Sequence, residues 1–360
     1  MRGIAAFPNE TSPRFVEVEQ PGPPSAGEVL CRTLELGICG TDREILRFAQ
    51  PLVPEGRDFL ILGHECLARV EEVGPDVTGL AAGDLVIPLV RRAAGETTLR
   101  PDMLAFGRYV ERGIVRLDGL SVPWWKDRPE YLFHVDAEMA PYAVLAEPIT
   151  CAEKAVNEAL TLQRARLGPA AWSDPPPRVL VTGMGPIGFG ALLVCHVLGW
   201  PVTVYGRGGS QSARARLAAD FGGRYLEATP EALQLSDVER DGFDLVLECT
   251  GAEQVMVAAT AALASRGIMA WLGSQRRPQP VALNLARMVR HGVLRNHLHL
   301  GVVNAAPGDF HDALADLDQV RREQPELLDR LITARVAPQD ALWHFEHRQP
   351  QGIKTIVQYE

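Results

Sequence analysis

Three short stretches carry residue types that hold metals or move protons, and a fourth is shaped to approach a phosphate. The first is Gly37-Ile38-Cys39-Gly40-Thr41-Asp42-Arg43-Glu44, the second Leu62-Gly63-His64-Glu65, the third Ala146-Glu147-Pro148. Singly, each has an ordinary reading. A free cysteine is usually a small buried hydrophobe, and a glutamate near a helix start is a partner for the helix dipole. Together, Cys39, His64 and Glu147 are the ligand types of a catalytic zinc, which takes three protein ligands and keeps a fourth position for water or substrate. Glu65, beside His64, is placed to act behind the ligands or to exchange with one of them.

The fourth stretch spans residues 178–207. An apolar β-branched run over 179–182 leads into Gly183-Met184-Gly185-Pro186-Ile187-Gly188. A helix-length apolar segment to Leu198 follows, then a second strand-like run over 202–205. Strand, glycine turn, helix, strand is the context that makes such a motif a dinucleotide site. Gly183 permits the tight turn, Gly185 lets backbone approach a pyrophosphate, and Gly188 lets helix and strand pack closely. Free N–H groups at the helix start, near Pro186 and Ile187, then face the phosphates. No aspartate or glutamate occurs between Asp174 and Asp220. The usual acidic partner of the NAD ribose is therefore missing, while Gly206-Arg207 offers a guanidinium to a 2′-phosphate. Ser210 and Ser212 are possible further donors. NADP is the expected cofactor; Gly208, where a second basic residue would strengthen the case, leaves NAD open.

The elements that must position these groups follow from patterning. Short apolar or alternating runs at 3–7, 29–36, 67–73 and 84–88, broken by Pro/Gly clusters, predict a mainly β section. From 177 to 304, strand-like and helix-like segments alternate, which predicts a doubly wound parallel sheet. Strands are expected at 224–226, 243–248, 267–272 and 294–303, and helices at 212–221 and 255–264. The run over 179–206 carries no charged side chain, but its glycines, Pro186 and Pro201 break it into short elements, so a membrane span is not expected. A net charge of −9 argues against nucleic acid or anionic membrane as the main partner. The start of the chain has no long apolar signal region, and six scattered cysteines without a C-x-x-C pair suit a reducing cytoplasm.

Taken in order, these motifs resemble the zinc-dependent medium-chain dehydrogenase/reductase family, and within it the glucose dehydrogenase branch. The resemblance rests on residues 37–44, Gly63-His64-Glu65, Gly83 to Val86, Glu147-Pro148 with Glu153-Lys154, and the glycine turn. It extends through Glu248-Cys249-Thr250-Gly251, Leu272-Gly273, Asn296, Gly301 to Asn304, Phe310 and Leu331 to Thr333. It implies a Rossmann domain over 177–304 and a mainly β, GroES-like catalytic domain built from 1–176 and 305–360. It implies cofactor contacts by Thr250, Gly251, Leu272, Gly273, Ser274, Val302, Asn304 and Lys354, and substrate contacts by Thr41, Glu111, Glu147 and Asn304. Thr41 matches the family's first proton-relay hydroxyl. Trp124 and Trp125 are candidate platforms for a sugar.

Departures from the family pattern sharpen the expectation. The lobe that holds a structural zinc in many members has no cysteine here, from Arg91 onward, so one catalytic zinc and no structural zinc is expected. Packing by Met103, Leu104 and Phe106 is the expected replacement. Val90 and Cys151 stand where the family offers sugar-binding amide and carboxylate groups, which makes glucose itself a doubtful substrate. The expected activity is hydride transfer between NADP(H) and a secondary alcohol of a sugar, polyol or cyclitol-like molecule, by a homodimer or homotetramer. Two alternatives stay open: a biosynthetic dehydrogenase or ketoreductase on a specialised sugar-like metabolite, and a non-catalytic nucleotide-binding protein on the same fold.

Overall fold

The computed structural model describes residues 1–95, 98–229, 233, 242–274 and 280–359; Glu96 and Thr97 of the lobe lie outside them. The chain divides into two compact units, Met1–Glu147 with Asn304–Glu360, and Pro148–Val303. The sequence reading sets domain boundaries at 176/177 and 304/305; the long helix Ala146–Leu167 contributes most of its length to the second compact unit. Gly190 of the helix Pro186–Val197 comes so close that a Cβ there would sit 3.3 Å from Ile149 Cα. Further along, Gln163 Nε2 donates to the Arg266 carbonyl at 3.0 Å.

The first unit is built on the strand Val29–Gly37, which pairs with Glu65–Val73 on one side and with Lys354–Gln358 on the other, both antiparallel. Register sets Gly37 opposite both Glu65 and Ile356, so the chain's end arrives beside the metal-site candidates. The stretch after Gly37 forms the helix Gly40–Phe48. Its N-terminus is closed by Asp42, whose carboxylate accepts from the Cys39 amide at 2.8 Å, and its buried Ile45 and Leu46 anchor it in the core.

The lobe is a three-stranded sheet of Arg91–Ala93, Tyr109–Arg112 and Arg116–Leu117. Met103 and Phe106 are 55% and 67% exposed, and Phe106 meets the lobe edge-on at the Tyr109 ring, 6.1 Å between centroids. Charge holds the lobe. Arg92 donates through both terminal nitrogens to Asp127 at 2.5 and 2.6 Å, Arg112 joins the same carboxylate at 2.9 Å, and Arg100 pairs with the buried Asp102. Bidentate guanidinium–carboxylate pairing supplies both energy and direction. Trp125 belongs to this packing rather than to a sugar platform: it is buried, and its Nε1 donates to Thr33 Oγ1 at 3.1 Å. Trp124 lies opposite Arg32 in strand pairing, with the guanidinium 5.5 Å from its ring centroid.

The second unit contains a six-stranded parallel sheet in the order Arg224–Glu227, Val202–Gly206, Val179–Thr182, Phe243–Glu248, Leu263–Trp271, Leu298–Gly301. The doubly wound α/β order read from sequence is therefore present. One element differs. The region expected as a strand from 294 begins as the end of the helix Leu285–Arg295. Asn284 caps that helix by accepting from Arg287 N at 2.9 Å, and Asn296 ends it at φ 54°, leaving a strand only over Leu298–Gly301.

Candidate active site

In the first unit, one ligand atom each of Cys39, His64 and Glu65 lies within 4.8 Å of the others. Local structure brings them together. Cys39 is the residue before the helix Gly40–Phe48, and Glu65 opens the strand Glu65–Val73. Gly37 makes the room: a Cβ there would lie 2.1 Å from Glu65 Oε2. Asp42 joins the two loops, because its second oxygen accepts from the Gly63 amide at 3.2 Å and lies 3.7 Å from His64 Nδ1. Glu65 Oε2 accepts from the buried ammonium of Lys354, whereas Glu65 Oε1 and His64 Nδ1 are buried without a partner among the described residues.

Burial and close neighbours strongly perturb the groups of this candidate cation site. Burial opposes charge on His64, but Cys39 and Asp42 outweigh it and hold the imidazole well above its ordinary value. Burial raises Asp42, partly offset by His64. Glu147 is pushed up to about 7, first by burial and then by the like charge of Glu65, against the pull of His64 and Lys354. A thiol, an imidazole and a buried carboxylate with an orphaned oxygen fit zinc. Glu147 acts electrostatically on this cluster, and the three residues whose ligand atoms lie within 4.8 Å of one another are Cys39, His64 and Glu65. Thr41 sits half-buried in the first turn of the helix that Cys39 precedes.

Glu111 and Asn304, 193 residues apart, meet: Asn304 Nδ2 donates to Glu111 Oε1 at 2.6 Å. Arg91, which sequence reasoning missed, donates to the same oxygen at 2.8 Å. This strand lies beside the histidine loop, since Gly113, just past it, packs so tightly that a Cβ would be 2.5 Å from the Gly63 carbonyl. Lys354, expected among cofactor contacts, has its ammonium on Glu65, where it neutralises the carboxylate of the metal cluster.

In the second unit, the expected cofactor residues gather at the carboxyl ends of the parallel strands, where doubly wound sheets bind nucleotides. Gly183 follows Val179–Thr182 at φ 92°, and Gly185 caps the helix that Pro186 and Ile187 begin. Gly188 allows the close approach, for a Cβ there would stand 2.2 Å from the Gly183 carbonyl. Arg207 is exposed after the strand Val202–Gly206, and the Gly206 carbonyl is anchored by Tyr225 Oη and Ala228 N, both at 2.8 Å. Thr250 and Gly251 form a loop tied to the fully buried Glu248. Its carboxylate accepts from Thr182 Oγ1 at 2.9 Å, Thr250 N at 2.9 Å, Thr250 Oγ1, and Gly251 N at 3.1 Å. Its carbonyl accepts from Leu272 N and Gly273 N at 2.9 and 2.8 Å, which fixes the loop reaching Ser274. Val302 is held by its amide on the Trp271 carbonyl at 2.9 Å. Glu248 and Asp42 both stood in recognised motifs; what identified them as organisers was burial and multiple accepted hydrogen bonds.

A family profile described as "Glucose dehydrogenase C-terminus" matches residues 140–359, and one described as "Alcohol dehydrogenase GroES-like domain" matches residues 25–120. The chain is 36% identical to a glucose 1-dehydrogenase of Thermoproteus tenax over 361 residues, covering 100% of both. It is also 36% identical to a glucose 1-dehydrogenase of Caldivirga maquilingensis, covering 93% of this chain and 92% of that one. Among solved structures, glucose dehydrogenase of Haloferax mediterranei in complex with NADP, Zn and gluconolactone superposes with a TM-score of 0.88 at 28% identity, over 100% of this chain and 99% of that one. The chain therefore belongs to the glucose dehydrogenase branch of the zinc-type medium-chain dehydrogenase/reductase family.

Proposed function

We propose that this chain is a zinc-dependent oxidoreductase that moves a hydride between NADP(H) and a secondary alcohol or carbonyl of a sugar, polyol or cyclitol-like substrate. The observation that carries the reading is the convergence of Cys39, His64 and Glu65 on one buried point. Cys39, His64 and Glu65 would hold the zinc, which would supply Lewis-acid polarisation of the substrate oxygen, and the nicotinamide would supply the hydride acceptor. The protein's residues supply the rest. Asp42 holds the Cys39 and Gly63 amides, and so positions Cys39 and His64. Lys354 neutralises Glu65. The Thr41 hydroxyl accepts the proton leaving the substrate and passes it outward. Glu111 and Asn304 bind substrate hydroxyls. Arg207 pairs the 2′-phosphate of NADP, with no acidic side chain between Asp174 and Asp220 in sequence to oppose it.

The substrate reading is kept wider than glucose because Val90 is an almost fully buried apolar residue and Cys151 is a thiol, at two positions where a polar sugar contact was expected. The same two residues favour, as a second reading, a dehydrogenase or ketoreductase acting on a specialised sugar-like metabolite. Association through the sheet edge is part of the proposal. The helix Leu285–Arg295 has no buried residue, and its Leu285, Val289 and Val293 are 59%, 52% and 69% exposed, beside the terminal strand Leu298–Gly301. A partner copy would cover this face, giving a dimer or pairs of dimers. No helix among the described residues is long and apolar enough to cross a membrane, and six free cysteines suit a reducing cytoplasm.

A steady-state screen of sugars, polyols and cyclic alcohols with NADP and with NAD tests the activity. Turnover of a polyhydroxy substrate, faster at low cofactor concentration with NADP, is expected. Absence of turnover with every alcohol and its matching carbonyl, under both cofactors, would contradict it.

A further inference from the structure

Glu111 does not stand alone. Strand pairing sets Arg91 directly opposite it, and both side chains are buried, each 5% exposed. Arg91 is immobilised on three sides. Its Nε donates to Glu111 Oε1 at 2.8 Å, a terminal nitrogen donates to the Asp102 carbonyl at 2.8 Å, and its guanidinium carbon lies 3.9 Å from the Tyr109 ring centroid. Asn304 adds a second donor to the same Oε1. That oxygen is occupied by two donors. Among the described residues, nothing donates to Oε2.

A carboxylate fixed through one oxygen presents the other as an acceptor with a set direction. A hydroxyl meets that acceptor well; a C–H in its place leaves a buried acceptor unpaired. We propose that Arg91 is a positioning residue for substrate specificity. By holding Glu111 Oε1, it makes Oε2 a fixed acceptor for one hydroxyl of a polyhydroxy substrate, at a carbon other than the reacting one. The inference rests on the sugar dehydrogenase reading above. It makes the salt-bridged pair, rather than Glu111 by itself, the determinant that separates a polyol from its deoxy analogue.

The test uses the full-length, zinc-loaded enzyme with the best polyhydroxy substrate and a set of its monodeoxy analogues, each lacking one hydroxyl. Arg91→Met removes the pairing at similar side-chain length, Arg91→Lys keeps charge but cannot serve Glu111 and the Asp102 carbonyl together, and Glu111→Gln removes the acceptor charge. In the wild type, one deoxy analogue loses kcat/KM by at least about 100-fold. In Arg91→Met that discrimination falls to within about 10-fold, carried mainly by a higher KM for the full substrate, with zinc content and the NADP KM unchanged. Arg91→Lys restores part of it, and Arg91→Met adds little on top of Glu111→Gln. If Arg91→Met does not fold, Arg91→Lys carries the test through the same ratio. A purely structural Arg91 lowers activity on substrate and analogues alike, and discrimination that survives in the folded variants overturns the inference while leaving the sugar dehydrogenase reading intact. A wild type that oxidises no polyhydroxy substrate overturns both.

Discussion

Asp42 gives one oxygen to the Cys39 amide and the other to the Gly63 amide, and so ties together the two segments that bring Cys39 and His64 into range. Groups behind metal ligands fix their orientation, and losing one typically weakens metal affinity about 10- to 100-fold. Asp42→Asn should therefore lower zinc affinity by about that factor in a chelator-competition titration, with the fold retained by circular dichroism; an unchanged affinity would remove Asp42 from the account. In the second unit, Arg207 is exposed, and no described residue hydrogen-bonds to it. Arg207→Ala should raise the NADP KM about 10- to 100-fold, the value of one or two charge-assisted hydrogen bonds, and leave the NAD KM nearly unmoved. Equal KM changes for both cofactors would mean that Arg207 does not read the 2′-phosphate. Cys39 and His64 were legible as candidates only in combination, since each alone has an ordinary reading, and Arg207 only through the acid-free stretch around it. Asp42 was less visible, since its role depends on an amide 21 positions away.

Among the elements, the loop after Phe243–Glu248 depends on one carboxylate that no solvent reaches. Glu248→Ala would leave the Thr182, Thr250 and Gly251 donors without their acceptor, at a cost of about 2–4 kcal/mol. A lower urea midpoint and a raised cofactor KM, together, are expected. A variant as stable as wild type would show that water replaces Glu248 without loss. The helix Leu285–Arg295 and strand Leu298–Gly301 carry a histidine cluster: His291 and His297 stack edge to face at 5.3 Å, and His297 to His299 is 6.5 Å between ring centroids. Burial, with the neighbouring His291, His299 and Arg295 adding, pushes His297 down to about 4 against a bond to the Ala264 backbone. The unfolded chain binds more protons than the folded one in this range, so the contribution of His297 is present above about pH 6.5 and is lost as pH falls toward 4. Melting temperature should decline over that window, and His297→Gln should flatten the decline; an equally steep variant would assign the acid limb elsewhere. The sequence pattern gave the strands of the sheet because β-branched runs flanked by glycine are local signals. It ran the last strand back to Leu294, which still belongs to the helix Leu285–Arg295, because the cap at Asn296 that ends the helix is a backbone feature rather than a pattern of apolar residues.

For the whole molecule, two compact units divide the candidate residues: Cys39, His64, Glu65 and Glu111 in the first, the glycine turn and Arg207 in the second. The domain order was legible from alternation of patterns, but the contacts that assemble the first unit were not. Glu65 and Lys354 are 289 positions apart, Glu111 and Asn304 193, and Arg335 and Glu35 300, distances over which no local rule operates. The pairing of Arg91, Arg92, Arg100 and Arg112 with Asp102, Glu111 and Asp127 was likewise hidden, since it needs register to bring them together. Oligomerisation belongs to this scale. Val293→Asp, on the exposed apolar face, should reduce the mass measured by light scattering to that of a single chain, and an unchanged oligomer would place the interface elsewhere.

That Cys39, His64 and Glu65 hold a catalytic zinc is the step on which the proposed reaction depends. Elemental analysis of the purified protein tests it most directly. About one zinc per chain is expected in the wild type, falling toward none in Cys39→Ala and His64→Ala, with loss of turnover and retention of NADP binding. A wild type that oxidises its substrate without zinc, or a Cys39→Ala variant that keeps both metal and activity, would contradict it.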